Sequence, residues 1–221
     1  GVTFNIDDRK RREVEMEQIN RQLTAQNALL SQLNATLALL AANDSLTGLS
    51  NRRTLMELGV NECKRTRRFG HPLSVMVVDI DLFKAVNDGW GHLAGDRVIC
   101  AVAQTCLART RQGVDTVARY GGEEFVLVLP VTDTHDALHL AESLRQAVAA
   151  RQVLVGDEGV TVCVTVSIGV ATLHQGSDLS FEDLVTQADT ALYQAKATGR
   201  NNVQCCAGCG PGEAFSPRTG S

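Results

Sequence analysis

The sequence predicts an α+β fold: a mixed sheet surrounded by helices, preceded by a long coiled-coil helix. Three observations carry that expectation. A stretch free of Pro and Gly over residues 9–42 repeats apolar residues every seven positions. Leu73-Ser74-Val75-Met76-Val77-Val78-Asp79-Ile80-Asp81 is a nearly unbroken apolar run ending in acids, the mark of a strand buried on both faces. Around it, helical and strand-like segments alternate, and apolar residues concentrate between Leu46 and Val203. The chain's 221 residues, 44% of them hydrophobic, suffice for one domain of ordinary size and an appendage.

At the N-terminus Val2, Phe4 and Ile6 alternate with polar residues, the period of a strand. One strand cannot stand alone, so residues 1–8 read as the remnant of an upstream domain. Asn5-Ile6-Asp7-Asp8-Arg9-Lys10 resembles the end of a PAS sensor domain, where a final strand passes through an acidic turn into a linker helix. Residues 9–43 follow as a coiled-coil signalling helix. Met16, Leu23, Leu30 and Leu37 form one series of the seam, and Ile19, Gln26, Leu33 and Leu40 its companion. This is an a/d seam with one polar insertion, Gln26, that weakens it locally. A helix over residues 9–42 would be about 50 Å long. The alternative is a helix packed on its own domain, but heptads on a polar background favour a parallel homodimer.

Residues 44–204 read as the compact domain. Ser50 is placed to cap a helix running to about residue 68, with Leu55, Leu58 and Cys63 turned inward. Helices are expected near residues 82–87 and 92–109. Residues 117–119 and 125–129 read as strands of a hairpin around Tyr120-Gly121-Gly122-Glu123-Glu124, with a tight glycine turn. A helix near 134–151, a strand near 160–169 and a helix near 181–198 complete the domain. Residues 205–221 read as a disordered tail, rich in Gly, Pro and Ser from Gly208 onward.

The formal net charge of −4 argues against a nucleic-acid-binding surface. No apolar run approaches the roughly 18 residues of a membrane helix, and no secretory signal heads the chain. The fragment is expected to be soluble, with a membrane anchor further upstream in the whole protein left open. Of the seven cysteines, Cys100, Cys106 and Cys163 lie in apolar stretches and read as small core residues in a reducing, cytoplasmic compartment. Cys206 and Cys209 have C-x-x-C spacing but no second pair and no nearby histidine. An inert tail is therefore favoured over a zinc site.

Asp79 and Asp81 end a hydrophobic strand, so their carboxylates emerge at the edge of a core, and Glu123 and Glu124 occupy the hairpin turn. If the hairpin lies beside the central strand, three or four carboxylates converge. Such a cluster repels itself unless a divalent cation is present, and oxygen-only ligands point to magnesium or manganese rather than zinc. Gly121 and Gly122 leave room for a phosphate to approach the backbone. A solvated acidic turn is the alternative. Lys196 and Arg200 share one helical face, Gly199 opens a turn between them, and Lys84 lies one helical turn past the acidic strand end. Singly these are ordinary surface charges; together, beside acidic strand ends, they suit a phosphate.

Asp79-Ile80-Asp81-Leu82-Phe83-Lys84-Ala85-Val86-Asn87-Asp88, followed by Gly91-His92-Leu93-Ala94-Gly95-Asp96, is similar to the D-x-D-x-F-K-x-x-N-D…G-H-x-x-G-D signature of GGDEF domains. Asp44-Ser45-Leu46-Thr47-Gly48-Leu49-Ser50-Asn51-Arg52-Arg53 resembles their D-x-L-T-G-L-x-N-R-R opening. Arg119-Tyr120-Gly121-Gly122-Glu123-Glu124-Phe125 resembles the naming motif, and Ala188-Asp189, Ala191-Leu192-Tyr193, Ala195-Lys196 and Gly199-Arg200-Asn201 the closing one. The four motifs stand in order across nearly all of residues 44–203, and on them the chain is identified as a member of the GGDEF diguanylate cyclases.

The resemblance implies a nucleotide-cyclase-like fold with a ferredoxin-like core. It implies that Asp79 and Glu124, with the Ile80 carbonyl, hold one or two Mg²⁺ ions, Mn²⁺ being the alternative. Glu123, in the motif's variable position, would be a further ligand or the base acting on the attacking hydroxyl. Asn87 and Asp96 would bond the guanine edge. Lys84, Lys196 and Arg200 would contact the triphosphate, and Phe83, Leu82 and His92 would belong to the same substrate pocket. Each domain would bind one GTP, and the 3′-hydroxyl of one would attack the α-phosphate of the other in line. Pyrophosphate would leave, and a second attack would close the ring to cyclic di-GMP. Such a site is half a site. The stalk would raise the effective concentration of the two halves, and an upstream sensor would gate their alignment through the seam around Gln26.

The sequence departs from the family at one functional point. GGDEF cyclases often carry an inhibitory product site, R-x-x-D, ahead of the naming motif. Here Asp115 is in register but Gln112 stands at the Arg position, with Arg111 one residue out. Gln lacks the charged fork that grips phosphate or guanine, so product inhibition is expected to be weak or absent. Trp90 stands where Tyr or Phe is more usual. Among competing functions, a catalytically dead nucleotide receptor conflicts with the intact motifs. A cyclase for ATP or mixed purines conflicts with Asp96, which suits the guanine N–H donors. A pure coiled-coil scaffold leaves the charged constellations unexplained.

Overall fold

The structure, a computed structural model, describes residues 3–156 and 159–206, and in its first helix the side chains at 9–11, 13, 15–28, 30 and 42. The chain divides between Ala42 and Asn43 into two units. The first is one helix, α1 (Thr3–Ala42). The strand expected over residues 1–8 is therefore replaced by helix from Thr3 onward. Asn5 to Asp8 contain no helix breaker, and a helix bonds its own backbone where a lone strand has no partner. Met16, Ile19, Leu23 and Leu30 are 64%, 49%, 55% and 55% exposed. The side chains of Leu33, Leu37 and Leu40 lie outside the described residues.

The second unit runs β1 (Ser50–Asn51), α2 (Arg52–Phe69), β2 (Leu73–Ile80), α3 (Phe83–Trp90), α4 (His92–Arg109), β3 (Thr116–Gly121), β4 (Glu124–Pro130), α5 (Thr134–Ala149), β5 (Gln152–Leu154), β6 (Thr161–Cys163), β7 (Val166–Leu173), α6 (Phe181–Ala197) and β8 (Val203–Cys205). Six strands form one mixed sheet in the order β1-β3-β4-β2-β7-β8, and β5 pairs with β6 alone. The sheet is antiparallel across β3, β4, β2 and β7, with β1 and β8 added in parallel at its edges.

All eight residues of β2 are buried, because both faces of the sheet are covered. Met76, Val78 and Ile80 join one core with Val98, Val102 and Cys106 of α4 and Leu144 of α5. Leu73, Val75 and Val77 point the other way, into a core with Leu55 of α2 and Phe181, Leu184 and Ala188 of α6. The alternation of strand side chains thus splits one apolar run between two cores.

Several local expectations change. Ser50 pairs within β1, and Asn51 is the cap, its side chain accepting from the Thr54 N–H at 3.0 Å. Leu58 is 41% exposed; α2 turns Leu55, Gly59, Cys63 and Thr66 inward instead, a stripe at helical spacing that Leu58 falls outside. The single strand expected near 160–169 is two, β6 and β7, interrupted at Val164 and Thr165. Cys106 is buried and Cys100 half-buried, but Cys163 is exposed, as befits a two-stranded ribbon with one open face. The domain also extends past residue 204: Cys205 lies in β8, and the Cys206 N–H donates to the Val170 carbonyl at 3.0 Å. Residues 207–221, with Cys209 and the rest of the expected tail, lie outside the described residues. No described helix is long and apolar enough to cross a membrane.

Candidate active site

The site is built on the register between β2 and β4, which sets Asp79 directly opposite Glu124. Directly opposed residues of an antiparallel pair share a face, with Cβ atoms about 5 Å apart, and like charges there repel. Both residues have the parity of the side covered by α2 and α6. Lys196, in the last turn of α6, reaches down to this pair, and its Nζ lies 2.8 Å from Asp79 Oδ2. Burial still pushes the Asp79 carboxyl above the usual carboxylate range, against the Lys196 ammonium and with Glu123 and Asp81 adding to the rise. Glu124 is raised as well, by burial first and then by Asp79, with Asp189 and Glu123 contributing. One ammonium therefore leaves this carboxylate group under-neutralised.

A hard divalent cation fits these residues. The donors are carboxylate oxygens with the Ile80 carbonyl next in the chain, and a cation already sits on one of them in the form of Lys196. Asp79, Glu123 and Glu124 do not bring three ligand atoms within 4.8 Å of one another; among the described residues that holds only for Asp133, His135 and Asp136, all exposed at the start of α5. There Asp133 is engaged as the helix cap, accepting from the Asp136 N–H at 2.9 Å.

Asp81 plays a different part from the one its position suggested. Its two oxygens accept from the Ser167 hydroxyl at 2.7 Å, the Thr165 hydroxyl at 2.7 Å and the Asn201 N–H at 3.0 Å. A carboxylate so engaged is a brace, and what it braces is the turn carrying Arg200. Gly199, Arg200 and Asn201 all have positive φ, at 116°, 62° and 47°, a sequence of left-handed residues that needs outside support. The Asn201 side chain supplies a second tie, accepting from Arg145 Nη1 at 2.6 Å.

The hairpin turn is held from beneath by Arg119. Its Nε donates to the Gly122 carbonyl at 2.9 Å, and its Nη1 lies 3.2 Å from both oxygens of Asp44. Asp44 in turn accepts from the Thr47 hydroxyl at 2.7 Å and the Thr47 N–H at 2.9 Å. The first residues after α1 are thus bonded to the acidic turn through one guanidinium. A Cβ at Gly121 or Gly122 would meet nothing within 4 Å, so the turn leaves the open approach expected for a phosphate.

On the far side of β2, the chain enters α3 through Leu82, itself left-handed at φ 55° and 66% exposed. Phe83 is buried against the core. Asn87 lies against Gly95: a Cβ built there would stand 2.0 Å from Asn87 Oδ1 and 3.0 Å from Phe83 Cζ. The absent side chain of Gly95 is the space in which Asn87 sits, and Asp96 follows next in the chain. Lys84, His92, Asp96 and Arg200 are exposed. The structure therefore joins Lys196 to Asp79, sets Glu124 opposite Asp79 on the neighbouring strand, and groups Phe83 and Asn87 with Gly95 beside Asp96.

The degenerate inhibitory motif also has a clear arrangement. Gln112 is exposed. Arg111 turns back onto Asp115, and the Asp115 side chain is 1% exposed.

Sequence reasoning missed Asp44, Asp81, Gly95 and Arg119 as positioning residues. The signal for Asp81 was the pair of hydroxyl residues at 165 and 167; the other three show only once the chain is folded.

Comparison with known proteins identifies the family and the fold. Residues 41–202 match the family described as "Diguanylate cyclase, GGDEF domain". The chain is similar to the response regulator PleD of Caulobacter vibrioides, at 42% identity over 164 residues, 74% of this chain and 36% of that protein. It is also similar to the diguanylate cyclase DgcM of Escherichia coli, at 41% identity over 185 residues, 84% of this chain and 42% of that protein. The chain thus spans about two fifths of the length of these relatives. Among solved structures, the coiled coil and GGDEF domain of DgcB from Caulobacter crescentus, in complex with c-di-GMP, superposes with TM-score 0.76 at 30% identity, covering 85% of this chain and 99% of that one. The active GGEEF domain of a diguanylate cyclase from Vibrio cholerae superposes with TM-score 0.65 at 36% identity, over 72% and 98% of the two chains.

Proposed function

The chain belongs to the GGDEF-domain family, and from that premise we propose that it condenses two molecules of GTP into cyclic di-GMP and two pyrophosphates, at a site completed by two copies facing each other. The observation that carries this reading is the opposed pair Asp79 and Glu124 at the ends of adjacent strands, short of positive charge and next to a lysine. Mg²⁺ suits this oxygen set, with Mn²⁺ as a substitute; when bound it lowers the pKa of the attacking hydroxyl and offsets charge on the phosphate.

The chain's own residues do the rest. Asp79, the Ile80 carbonyl and Glu124 hold the cation, with Glu123 as a further ligand or as the group receiving the hydroxyl proton. Lys84, Lys196 and Arg200 bind the triphosphate, and Asp81 sets the Arg200 turn. Asp96 accepts from the guanine N–H donors and Asn87 bonds the guanine edge through its amide, beside Phe83, Leu82 and His92. The 3′-oxygen of one bound GTP attacks the α-phosphorus of the other, the bond to pyrophosphate breaks, and a reciprocal attack closes the ring.

Pairing through α1 brings the halves together; the apolar Met16, Ile19, Leu23 and Leu30, exposed in a single chain, support a parallel homodimer interrupted at Gln26. An upstream sensor acting through this helix supplies regulation. The free thiols of Cys63, Cys100, Cys106 and Cys163 suit a reducing, cytoplasmic setting. The test is product identification after incubation with GTP and Mg²⁺. Cyclic di-GMP from the natural chain but not from Glu124→Ala supports the reading, and intact or merely hydrolysed GTP overturns it.

A further inference from the structure

Lys196 has two claims on it. The proposed reaction gives its ammonium to the triphosphate, yet in the structure it lies 2.8 Å from Asp79 Oδ2, on a carboxylate required by the metal ion. An ammonium and a divalent ion on the same carboxylate repel each other, and the Asp79 side chain is only 9% exposed, so water screens that repulsion poorly. We propose that Lys196 is a tethered counter-ion that holds the divalent cation off Asp79 until a nucleoside triphosphate arrives, so that metal and nucleotide load together rather than in either order. The inference rests on the GTP reading given above and adds a binding order to it.

The geometry supports an exchange of partners. The Lys196 backbone is fixed in the last turn of α6 beside buried Ala195, while its side chain remains 35% exposed. A four-carbon stem at that position can turn toward solvent without moving the helix. Metal arriving alone competes with Lys196 for Asp79 and brings two positive charges beside an ammonium that has no phosphate to turn to. A triphosphate arriving alone finds Lys84 and Arg200, but to engage Lys196 it must draw it from Asp79 and leave Asp79, Glu123 and Glu124 without their neighbouring ammonium. When both arrive, the phosphate takes Lys196 and the metal takes Asp79, so two charge pairs replace one. Each ligand then strengthens the binding of the other, and the coupling is reciprocal. The same pairing explains how two opposed carboxylates remain together at the ends of β2 and β4 in the folded chain.

The experiment is a Mn²⁺ titration followed by electron paramagnetic resonance of the free ion. It compares the natural chain, Lys196→Met and Lys196→Arg, each with and without a non-hydrolysable GTP analogue. The natural chain is expected to bind Mn²⁺ weakly alone and about tenfold or more tightly with the analogue. Lys196→Met is expected to bind Mn²⁺ about tenfold more tightly than the natural chain in the absence of nucleotide, and to gain less from the analogue. Lys196→Arg keeps the charge and is expected to follow the natural chain in the nucleotide-free titration. Lys196→Gln serves the same purpose as Lys196→Met should the latter not fold. Equal nucleotide-free Mn²⁺ affinity in the natural chain and the neutral variants overturns the counter-ion role. Failure of the natural chain to bind the analogue at any Mn²⁺ concentration overturns the GTP reading instead.

Discussion

Arg111 closes on Asp115 from four residues away, its backbone N–H donating at 2.7 Å and its Nη2 at 2.6 Å. The same guanidinium also donates to the Pro130 carbonyl at 2.8 Å and to Thr132 Oγ1 at 2.9 Å. An arginine one residue out of register has become part of the fold and has taken the aspartate with it. Neither side chain is left to grip a dinucleotide. Cyclic di-GMP is expected not to inhibit the proposed cyclase reaction through this motif at low micromolar concentration. Gln112→Arg alone is expected not to create inhibition, because Asp115 stays committed to Arg111. Inhibition curves for the natural chain and for Asp115→Ala check this, and inhibition lost in Asp115→Ala would show Asp115 available after all.

The brace at Asp81 makes a second prediction. Asp81→Ala leaves the hydroxyls of Thr165 and the fully buried Ser167 without their acceptor, at a cost of about 2–4 kcal/mol in urea unfolding. It also frees the Asn201 N–H and loosens the turn of Arg200. Asp81→Asn, which keeps one acceptor, is expected to lose about half as much stability. In both, KM for GTP should rise more than kcat falls. Unchanged KM in a folded Asp81→Asn variant would mean that the turn does not depend on this carboxylate.

Gly95→Ala places a methyl group where Asn87 Oδ1 now sits. The helix tolerates alanine, so the strain falls on Asn87, at about 1–3 kcal/mol of overpacking. If Asn87 bonds the guanine edge as proposed, discrimination between GTP and ATP is expected to fall by about tenfold as its amide is displaced. Competition between the two nucleotides in the natural chain and in Gly95→Ala measures it.

Asp44 gives a pH dependence whose sign follows from its partners. Burial alone would raise its carboxyl, but the Thr47 hydroxyl and N–H and the Arg119 guanidinium outweigh burial and hold it below the ordinary 3.8. With a lowered folded value, the unfolded chain takes up the proton first as pH falls. The contribution is therefore complete above about pH 4 and is lost as pH drops through the folded value. Asp44→Asn should remove part of this acid slope, seen by comparing urea midpoints at about pH 3 and about pH 7. It should also lower activity at neutral pH, since Arg119 then holds the Gly122 carbonyl without its own anchor.

Much of this architecture was legible beforehand, for identifiable reasons. Long elements with a clear period, such as the run 73–81 and the helices from His92 and Phe181, announce themselves. The hairpin at Gly121-Gly122 follows from glycine chemistry alone. The edge strands β1, β5 and β8 have two or three residues each, too few to show alternation, and exist because a neighbouring strand offers its backbone. The period at Val2, Phe4 and Ile6 misled for the same reason in reverse, a strand pattern with no partner strand. In the site, residue types announced an acidic pair and nearby cations. The contact of Lys196 with Asp79 joins residues far apart in sequence and is set by the packing of α6 on the sheet. The roles of Asp81 and Gly95 depend on Ser167, Asn201 and Asn87 reaching them in space.

The most direct test offers GTP and ATP together at equal concentration, with Mg²⁺, and identifies every cyclic dinucleotide and the pyrophosphate formed. The expected result is cyclic di-GMP as the sole dinucleotide, with two pyrophosphates for each and no product containing adenine. An adenine-containing cyclic dinucleotide, or no dinucleotide at all from the folded natural chain, would contradict a guanine-specific half-site built on Asp79, Glu124, Asn87 and Asp96.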